Sequence, residues 1–286
     1  MKITLLVTYF FYFLVSTLAA QVRYTGEELR DYYYWFHQYS QTALFYEDGA
    51  RLVSFTEKTP VRQYPNVQAA VAGYLGLGEV VTNQLIPVAR AVVSTEKGYQ
   101  DQWFKVTACQ ATTGQTYTGY VWGGHLAKSW LYYDLDQDGT TELVALGLHL
   151  EQRRAPEDIQ ADLKVIHQGQ LQASLAIAGL CLFDDCGSSN LLRVYEISTQ
   201  PRQVIFETST LTAGCLVGVD KAFVSWDTNQ LRLIYQAEYS TGHQYANNAF
   251  YRHQDNATLI CYYQNENNAF EPVWACKPLS TTVAVP

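Results

Sequence analysis

Short runs in which apolar and polar residues alternate dominate the chain after residue 44, and they predict β-strands. The run Leu231-Arg232-Leu233-Ile234-Tyr235 is the clearest, and similar runs recur at roughly the 8–12-residue spacing of all-β proteins. Turn-forming Gly, Pro and Asn residues separate the runs. The chain is therefore predicted to be mainly β. For residues 131–278 the pattern fits both an antiparallel β-sandwich and a partial propeller-like domain, followed by a loose tail over residues 279–286.

The first residues follow a different pattern. An apolar run over residues 3–15 comes after the positively charged Lys2, and small residues then lead to Ala20. This order predicts a secretory signal peptide over residues 1–20, with an uncleaved membrane anchor as the alternative, because ~18 apolar residues can span a bilayer. No later segment is apolar enough to cross a membrane. The sequence thus predicts an exported protein, in the periplasm, at the cell surface or outside the cell, with no membrane span once processed.

Residues 21–43 carry apolar and aromatic side chains at helical spacing. Thr25 and Glu28 have the spacing of a capping box at the start of a helix. This segment is predicted to be a short amphipathic helix whose aromatic stripe packs on the domain that follows.

Charge and cysteine content narrow the class of protein. The net charge of −8 argues against nucleic acid as a partner, since nucleic-acid binding relies on clustered Lys and Arg. All six cysteines lie in the predicted exported part, where disulfides form. Local spacing makes Cys181 with Cys186, and Cys261 with Cys276, the natural candidate pairs, although the sequence alone settles no pairing.

Four stretches between residues 44 and 130 occur in a recognisable order: 57–66, 71–80, 102–106 and 119–126. The third reads Gln102-Trp103-Phe104-Lys105-Val106, and the fourth reads Gly119-Tyr120-Val121-Trp122-Gly123-Gly124-His125-Leu126. Together they resemble the bacterial SH3-like (SH3b) domain, with Thr59-Pro60 and an insert over residues 83–100 as departures. The resemblance implies a small closed β-barrel over residues 44–130 that recognises cell-wall peptide or glycan. The apolar residues among turn signals favour a small barrel independently.

Trp103, Tyr120 and Trp122 are the candidates for a recognition groove in this barrel, because aromatic surfaces bind peptide and glycan. Alternate residues of a strand point to opposite faces. If Val121 lies in the core, Tyr120 and Trp122 both face outward. The alternative is that half of these rings pack in the core.

The most chemically specific stretch lies between residues 133 and 145. Asp134, Asp136 and Asp138 alternate, Gly139 turns the backbone, and Glu142 follows. Oxygen ligands at this spacing suit a hard cation such as Ca²⁺. An ion-free polar turn, in which the aspartates accept backbone N–H groups, is the alternative.

This stretch resembles the calcium loop of the FG-GAP and VCBS repeat families, which joins two β-strands. The resemblance implies side-chain ligands from Asp134, Asp136, Asp138 and Glu142, with the Thr140 carbonyl between them. An EF-hand is not favoured, because Ala145 stands where that loop requires Glu. The ion is expected to stabilise the hairpin and to take no part in a reaction.

One stretch raises an enzymatic alternative. Asp185-Cys186-Gly187-Ser188 resembles the nucleophile motif of the NlpC/P60 cell-wall cysteine peptidases, but Gly and Ser are transposed. A disulfide with Cys181 is the simpler fate for Cys186. His149 and His167 are interpreted as surface or hydrogen-bonded histidines. The sequence therefore favours an exported, non-enzymatic binding protein of the bacterial envelope, with a Cys186 peptidase and a purely structural envelope protein as alternatives.

Overall fold

The computed structural model describes residues 49–84, 93–109, 116–151, 159–180, 182, 188–197, 203–212, 217–241, 250–254, 257–264 and 273–278. In these residues nearly all regular structure is antiparallel β, and the helical structure is limited to a 3-10 turn at Gly123–His125. The prediction of a mainly β protein is confirmed. The predicted signal peptide, the helix over 21–43, the tail over 279–286, Cys181 and Cys186 lie outside the described residues.

The N-terminal sheet has seven strands. Its strands are β1 (Arg51–Val53), β2 (Thr59–Arg62), β3 (Val71–Leu75), β4 (Val80–Gln84), β5 (Val93–Glu96), β6 (Tyr99–Cys109) and β7 (Thr116–Trp122). They follow the order β1-β4-β6-β7-β2-β3, and β5 pairs with the first part of β6. Pro60 stands opposite Tyr74 in the β2–β3 ladder and has no N–H to donate. The Tyr117 hydroxyl donates to the Tyr74 carbonyl instead, at 3.0 Å.

The closed barrel expected for residues 44–130 is not observed in the described part of this region. The strands β1 and β3 end the path of the sheet and do not pair with each other. The second edge of β1 is taken by the segment after the 3-10 turn: the Phe55 N–H donates to the His125 carbonyl, and the Ala127 N–H donates to the Val53 carbonyl, both at 2.9 Å. Because this segment satisfies the edge of β1, the sheet stays open.

Three further sheets follow, each with its strands hydrogen-bonded in chain order. They are formed by β8 (Ser129–Tyr133), β9 (Glu142–Leu148), β10 (Gln160–His167) and β11 (Gln170–Ala178); by β12 (Ser188–Ile197), β13 (Gln203–Thr212), β14 (Val217–Asp227) and β15 (Gln230–Thr241); and by β16 (Phe250–Gln254), β17 (Ala257–Gln264) and β18 (Val273–Pro278). The first strands of the two four-stranded sheets, β8 and β12, contact each other, and so do their last strands, β11 and β15. The choice between sandwich and partial propeller stays a prediction.

The sheet β8–β11 is covered on both faces. All seven residues of β9 are buried, which is the pattern of a strand between two packed layers. Val144 and Leu146 pack towards β12–β15, whereas Leu143 and Ala145 pack against Val53 and neighbouring residues of the N-terminal sheet. The predicted ranges 44–130 and 131–278 therefore share hydrophobic core.

One close approach shows how tightly the two ranges meet. The Phe55 ring lies over Gly147 so closely that a Cβ on Gly147 would come within 2.5 Å of it. The Lys164 ammonium sits 4.1 Å from the centre of the same ring and donates to the Phe55 carbonyl at 3.0 Å. Burial lowers the pKa of Lys164, with Asp162 and Glu57 opposing the shift. Glycine at residue 147 is required by this packing.

In the described residues no helix is long and apolar enough to cross a membrane.

Candidate functional site

The aspartate loop connects β8 to β9, as the predicted strand-loop-strand requires. One carboxylate oxygen from each of Asp134, Asp136 and Asp138 lies within 4.8 Å of the others. Gln137 and Gly139 have positive φ angles of 64° and 89°, which fold the loop back on itself. The sequence thus correctly predicted which three carboxylates the turn brings together.

Local hydrogen bonds hold the loop in this shape. The Gly139 N–H donates to Asp134 Oδ2 at 3.1 Å, and the Asp138 N–H donates to Asp136 Oδ1 at 3.2 Å. Asp138 Oδ1 accepts from both the hydroxyl and the N–H of Thr140. The Thr140 hydroxyl, then the Thr140 N–H, lower the pKa of Asp138, because both donors favour the ionised carboxylate.

Glu142 has a structural role that the sequence did not predict. It is buried at the start of β9 and does not belong to the group formed by the three aspartates. Its Oε2 accepts the Leu135 N–H at 2.8 Å, and its Oε1 lies 2.8 Å from Nδ1 of His167 on β10. Its carboxylate thus ties both ends of the loop to the sheet, and its role as a metal ligand stays a prediction. The Thr140 carbonyl stays a predicted ligand.

The donor set is compatible with a hard cation. Ca²⁺ prefers oxygen ligands in flexible geometry, and an ionised carboxylate can accept several bonds, so one local hydrogen bond does not block it. Asp136 and Asp138 are exposed and Asp134 is half-buried. Exposed acidic groups are common without an ion, and the same local hydrogen bonds suit an ion-free turn. Calcium therefore stays a prediction.

The expected aromatic groove is corrected. Trp103 is 3% exposed and Trp122 is 1% exposed, and Tyr120 is half-buried against the same core. Val121 does lie in a different core from Trp122, so the two side chains point to opposite faces as predicted. The face that Trp122 occupies is buried, because the sheet β8–β11 packs on it. These tryptophans do not line an exposed groove.

Two aromatic residues that were not singled out from the sequence are exposed instead. Tyr64, in the turn after β2, is 68% exposed, and Tyr74 on β3 is 50% exposed. The Lys58 ammonium lies 4.4 Å from the centre of the Tyr74 ring, in a cation–π contact. The sequence held one signal for Tyr64, its place between Gln63 and Pro65 in a turn, where side chains point to solvent. It held no comparable signal for Tyr74.

Of the six cysteines, the described residues include Cys109, Cys261 and Cys276. The register of β17 and β18 places Cys261 directly opposite Cys276, a backbone arrangement within reach of a disulfide; this pairing stays a prediction. Cys109 is exposed and has no disulfide. The peptidase interpretation stays untested.

His125, His149 and His167 each contact a carboxylate. Nδ1 of His149 lies 2.8 Å from Asp162, and His167 contacts Glu142 as described above. The interpretation of both as hydrogen-bonded histidines is confirmed. His125 Nε2 lies 3.5 Å from Glu96 Oε1, in a contact that sequence reasoning did not anticipate.

Comparisons of the chain with protein-family models, with curated proteins and with solved structures found no match.

Proposed function

We propose that this chain is an exported, non-enzymatic binding protein of the bacterial envelope that holds a cell-wall peptide or glycan on the surface of its SH3b-like region. The observation that supports it best is the exposure of Tyr64 and Tyr74 on the β2–β3 hairpin. Tyrosine offers a flat apolar face and a polar hydroxyl, which together suit sugar rings and peptide groups. Lys58 places a positive charge on the same hairpin.

The surface formed by Tyr64, Tyr74 and Lys58 is tested by sedimentation with purified peptidoglycan. We expect the full chain to bind, and the double variant Tyr64→Ala/Tyr74→Ala to bind about 30-fold more weakly, the effect of losing roughly 2 kcal/mol of aromatic anchoring. Tyr132→Ala is the matched control, because Tyr132 is also exposed but lies on β8.

Different outcomes test the location of the binding surface and the proposed function itself. Equal binding by the double variant and by Tyr132→Ala would place the binding surface elsewhere. A full chain that does not sediment with peptidoglycan would contradict the proposed function. Release of soluble fragments from the same material, abolished by Cys186→Ala, would favour the peptidase alternative.

We also propose that Asp134, Asp136 and Asp138 hold a Ca²⁺ ion that stabilises the β8–β9 connection. Three carboxylates that share one turn repel each other without a counter-charge, and a divalent cation would remove that repulsion. The melting temperature of the protein in Ca²⁺ and in EDTA tests this role.

A further inference from the structure

The strand β5 covers two tryptophans and is attached to the molecule in an unusual way. It pairs with Tyr99–Gln102 of β6, and in the described part of the chain this is its only ladder. Its own side chains alternate between exposed and half-buried, so none of them enters the core. Beneath it, Tyr99, Trp103 and Trp122 are almost fully buried.

Polar contacts, rather than hydrophobic ones, attach β5 to the rest of the molecule. The Trp103 indole N–H donates to the Ser94 hydroxyl at 2.8 Å. The Trp122 indole N–H is shared between the Ser94 carbonyl at 3.0 Å and the Asp101 carbonyl at 3.2 Å. In the turn after β5, the Lys97 ammonium reaches the Leu150 carbonyl at 2.7 Å. Segments with few buried apolar contacts open at a lower free energy than the sheet that carries them.

A contact between Glu96 and His125 fastens the end of β5. Oε1 of Glu96 lies 3.5 Å from Nε2 of His125, a residue of the 3-10 turn that is 7% exposed. In the described residues His125 Nδ1 is buried without a hydrogen-bond partner, and the ring packs edge-on against Trp122. Among the described residues, Glu96 is therefore the polar partner of the His125 ring.

Other charged groups lie around the Glu96–His125 contact. The positive charges of Lys97, in the turn, and of Arg62, on β2, attract the carboxylate of Glu96. On the far side of the 3-10 turn, Asp101 lies against Gly123 and is itself paired with Lys128. The hydrogen bond from His125 lowers the pKa of Glu96, against the opposing effect of burial.

We propose that β5 is a strap that opens over Trp103 and Trp122 without unfolding of the rest of the sheet, with the Glu96–His125 contact as its pH-dependent fastening. Because the pKa of Glu96 is lowered in the closed state, the fastening is complete above the ordinary pKa of a glutamate. It is lost as the pH falls through the lowered value. Opening exposes the two indoles to solvent.

A cross-strand disulfide tests the strap. Val93 and Gln102 are directly opposite each other, at a separation that a disulfide can bridge. The variant Val93→Cys/Gln102→Cys is made in a Cys109→Ser background, because Cys109 is an exposed thiol. The Cys109→Ser protein under the same oxidant and reductant is the control for changes at other cysteines.

We expect the oxidised variant to slow hydrogen exchange over residues 93–102 by about tenfold or more relative to its reduced form, and to reduce acrylamide quenching of tryptophan fluorescence, whereas exchange in β9 stays unchanged. Equal exchange and equal quenching in the two forms would show that β5 does not open and would overturn the proposal. Slowing that extends equally to β9 would mean global unfolding and would also overturn it.

Glu96→Gln tests the fastening. Glutamine keeps the size of the side chain and removes its charge. We expect faster exchange over residues 93–102 at pH 7 than in the natural chain. We also expect the acid-induced rise in exchange to be absent, after correction for the intrinsic pH dependence of exchange. Identical pH profiles in the two proteins would contradict the role of this contact.

Discussion

Two acidic sites of this protein lie a short distance apart in sequence and differ in burial and in the charges around them. Asp101, on β6, is buried, and its Oδ2 is 2.5 Å from the ammonium of Lys128, whose side chain is 8% exposed. Asp136 and Asp138, in the loop before β9, are exposed and share their turn with a third carboxylate. The first site is an ion pair inside the fold, and the second is a group of like charges at the surface.

The difference shows where each charge is compensated. A buried carboxylate must be paired within the protein, because the interior solvates it poorly. An exposed carboxylate is solvated by water, so its effect on stability depends on salt and on any cation that binds. Substitutions at the buried pair should therefore act under all solution conditions. Substitutions at the loop should act only through what is dissolved around it.

The largest effect is expected at the buried pair. Asp101→Asn leaves the Lys128 ammonium buried beside a neutral amide, and breaking such a pair costs about 3–5 kcal/mol. The measurement is the free energy of unfolding from urea titration. The double variant Asp101→Asn/Lys128→Met, which removes both charges, should recover part of the loss. A loss below about 1 kcal/mol for the single variant would mean that water reaches this pair and that the contrast with the loop is wrong.

The loop is expected to respond to calcium. A ligand that binds only the folded state at a hundredfold excess over its dissociation constant stabilises it by about 2.7 kcal/mol. We expect Ca²⁺ to raise the melting temperature relative to EDTA, and the variant Asp136→Asn/Asp138→Asn to lose that response. Asp101→Asn should keep the full calcium response. Equal melting of the natural chain in Ca²⁺ and EDTA would leave the ion-free turn as the correct description.

Glu142 combines features of both sites, because it follows the loop in sequence but is buried in the structure. Glu142→Ala leaves the Leu135 N–H without its acceptor and removes the partner of His167, which should cost about 1–3 kcal/mol. Glu142→Gln keeps an acceptor for Leu135 and should lose less. Both losses should be the same in Ca²⁺ and in EDTA. A loss that is larger in Ca²⁺ than in EDTA would identify Glu142 as a ligand.

Features set by neighbouring residues were predictable from the sequence, whereas features set by the pairing and packing of distant strands were not. The aspartate turn was predictable, since its residue spacing and Gly139 act within a few residues of each other. The role of Glu142 was not, because its partner His167 is on β10, and only the β9–β10 pairing brings the two together. The burial of Trp122 was not predictable for the same reason: strand alternation predicts the face of a side chain but not which sheet covers that face.

The open N-terminal sheet likewise depends on contacts between segments that are distant in sequence. Apolar residues among turn signals predicted the strands of the small β unit, and those strands are present. Closure depends on which segment reaches the second edge of β1, and residues 125–127 take that edge by backbone hydrogen bonds. Every residue except proline has the same backbone donor and acceptor, so the sequence does not indicate which segment takes the edge of β1.

The smallest expected effect isolates one carboxylate of the exposed group. Asp138 should titrate below the ordinary aspartate value of about 3.9, because the Thr140 hydroxyl and N–H stabilise its ionised form. Thr140→Val removes the hydroxyl and keeps the N–H and the β-branched shape. We expect the pKa of Asp138, followed by carboxyl chemical shifts in EDTA, to rise in this variant.

The direction of the linkage is set by that lowered value. The hydrogen bonds contribute to stability above the unfolded-state pKa of an aspartate, and the contribution is lost as the pH falls through the lowered folded-state pKa. Because Asp138 is fully exposed, the change in global stability should be too small to compete with that of Asp101→Asn. An unchanged Asp138 titration in Thr140→Val would mean that the Thr140 hydroxyl does not lower the pKa of this carboxylate.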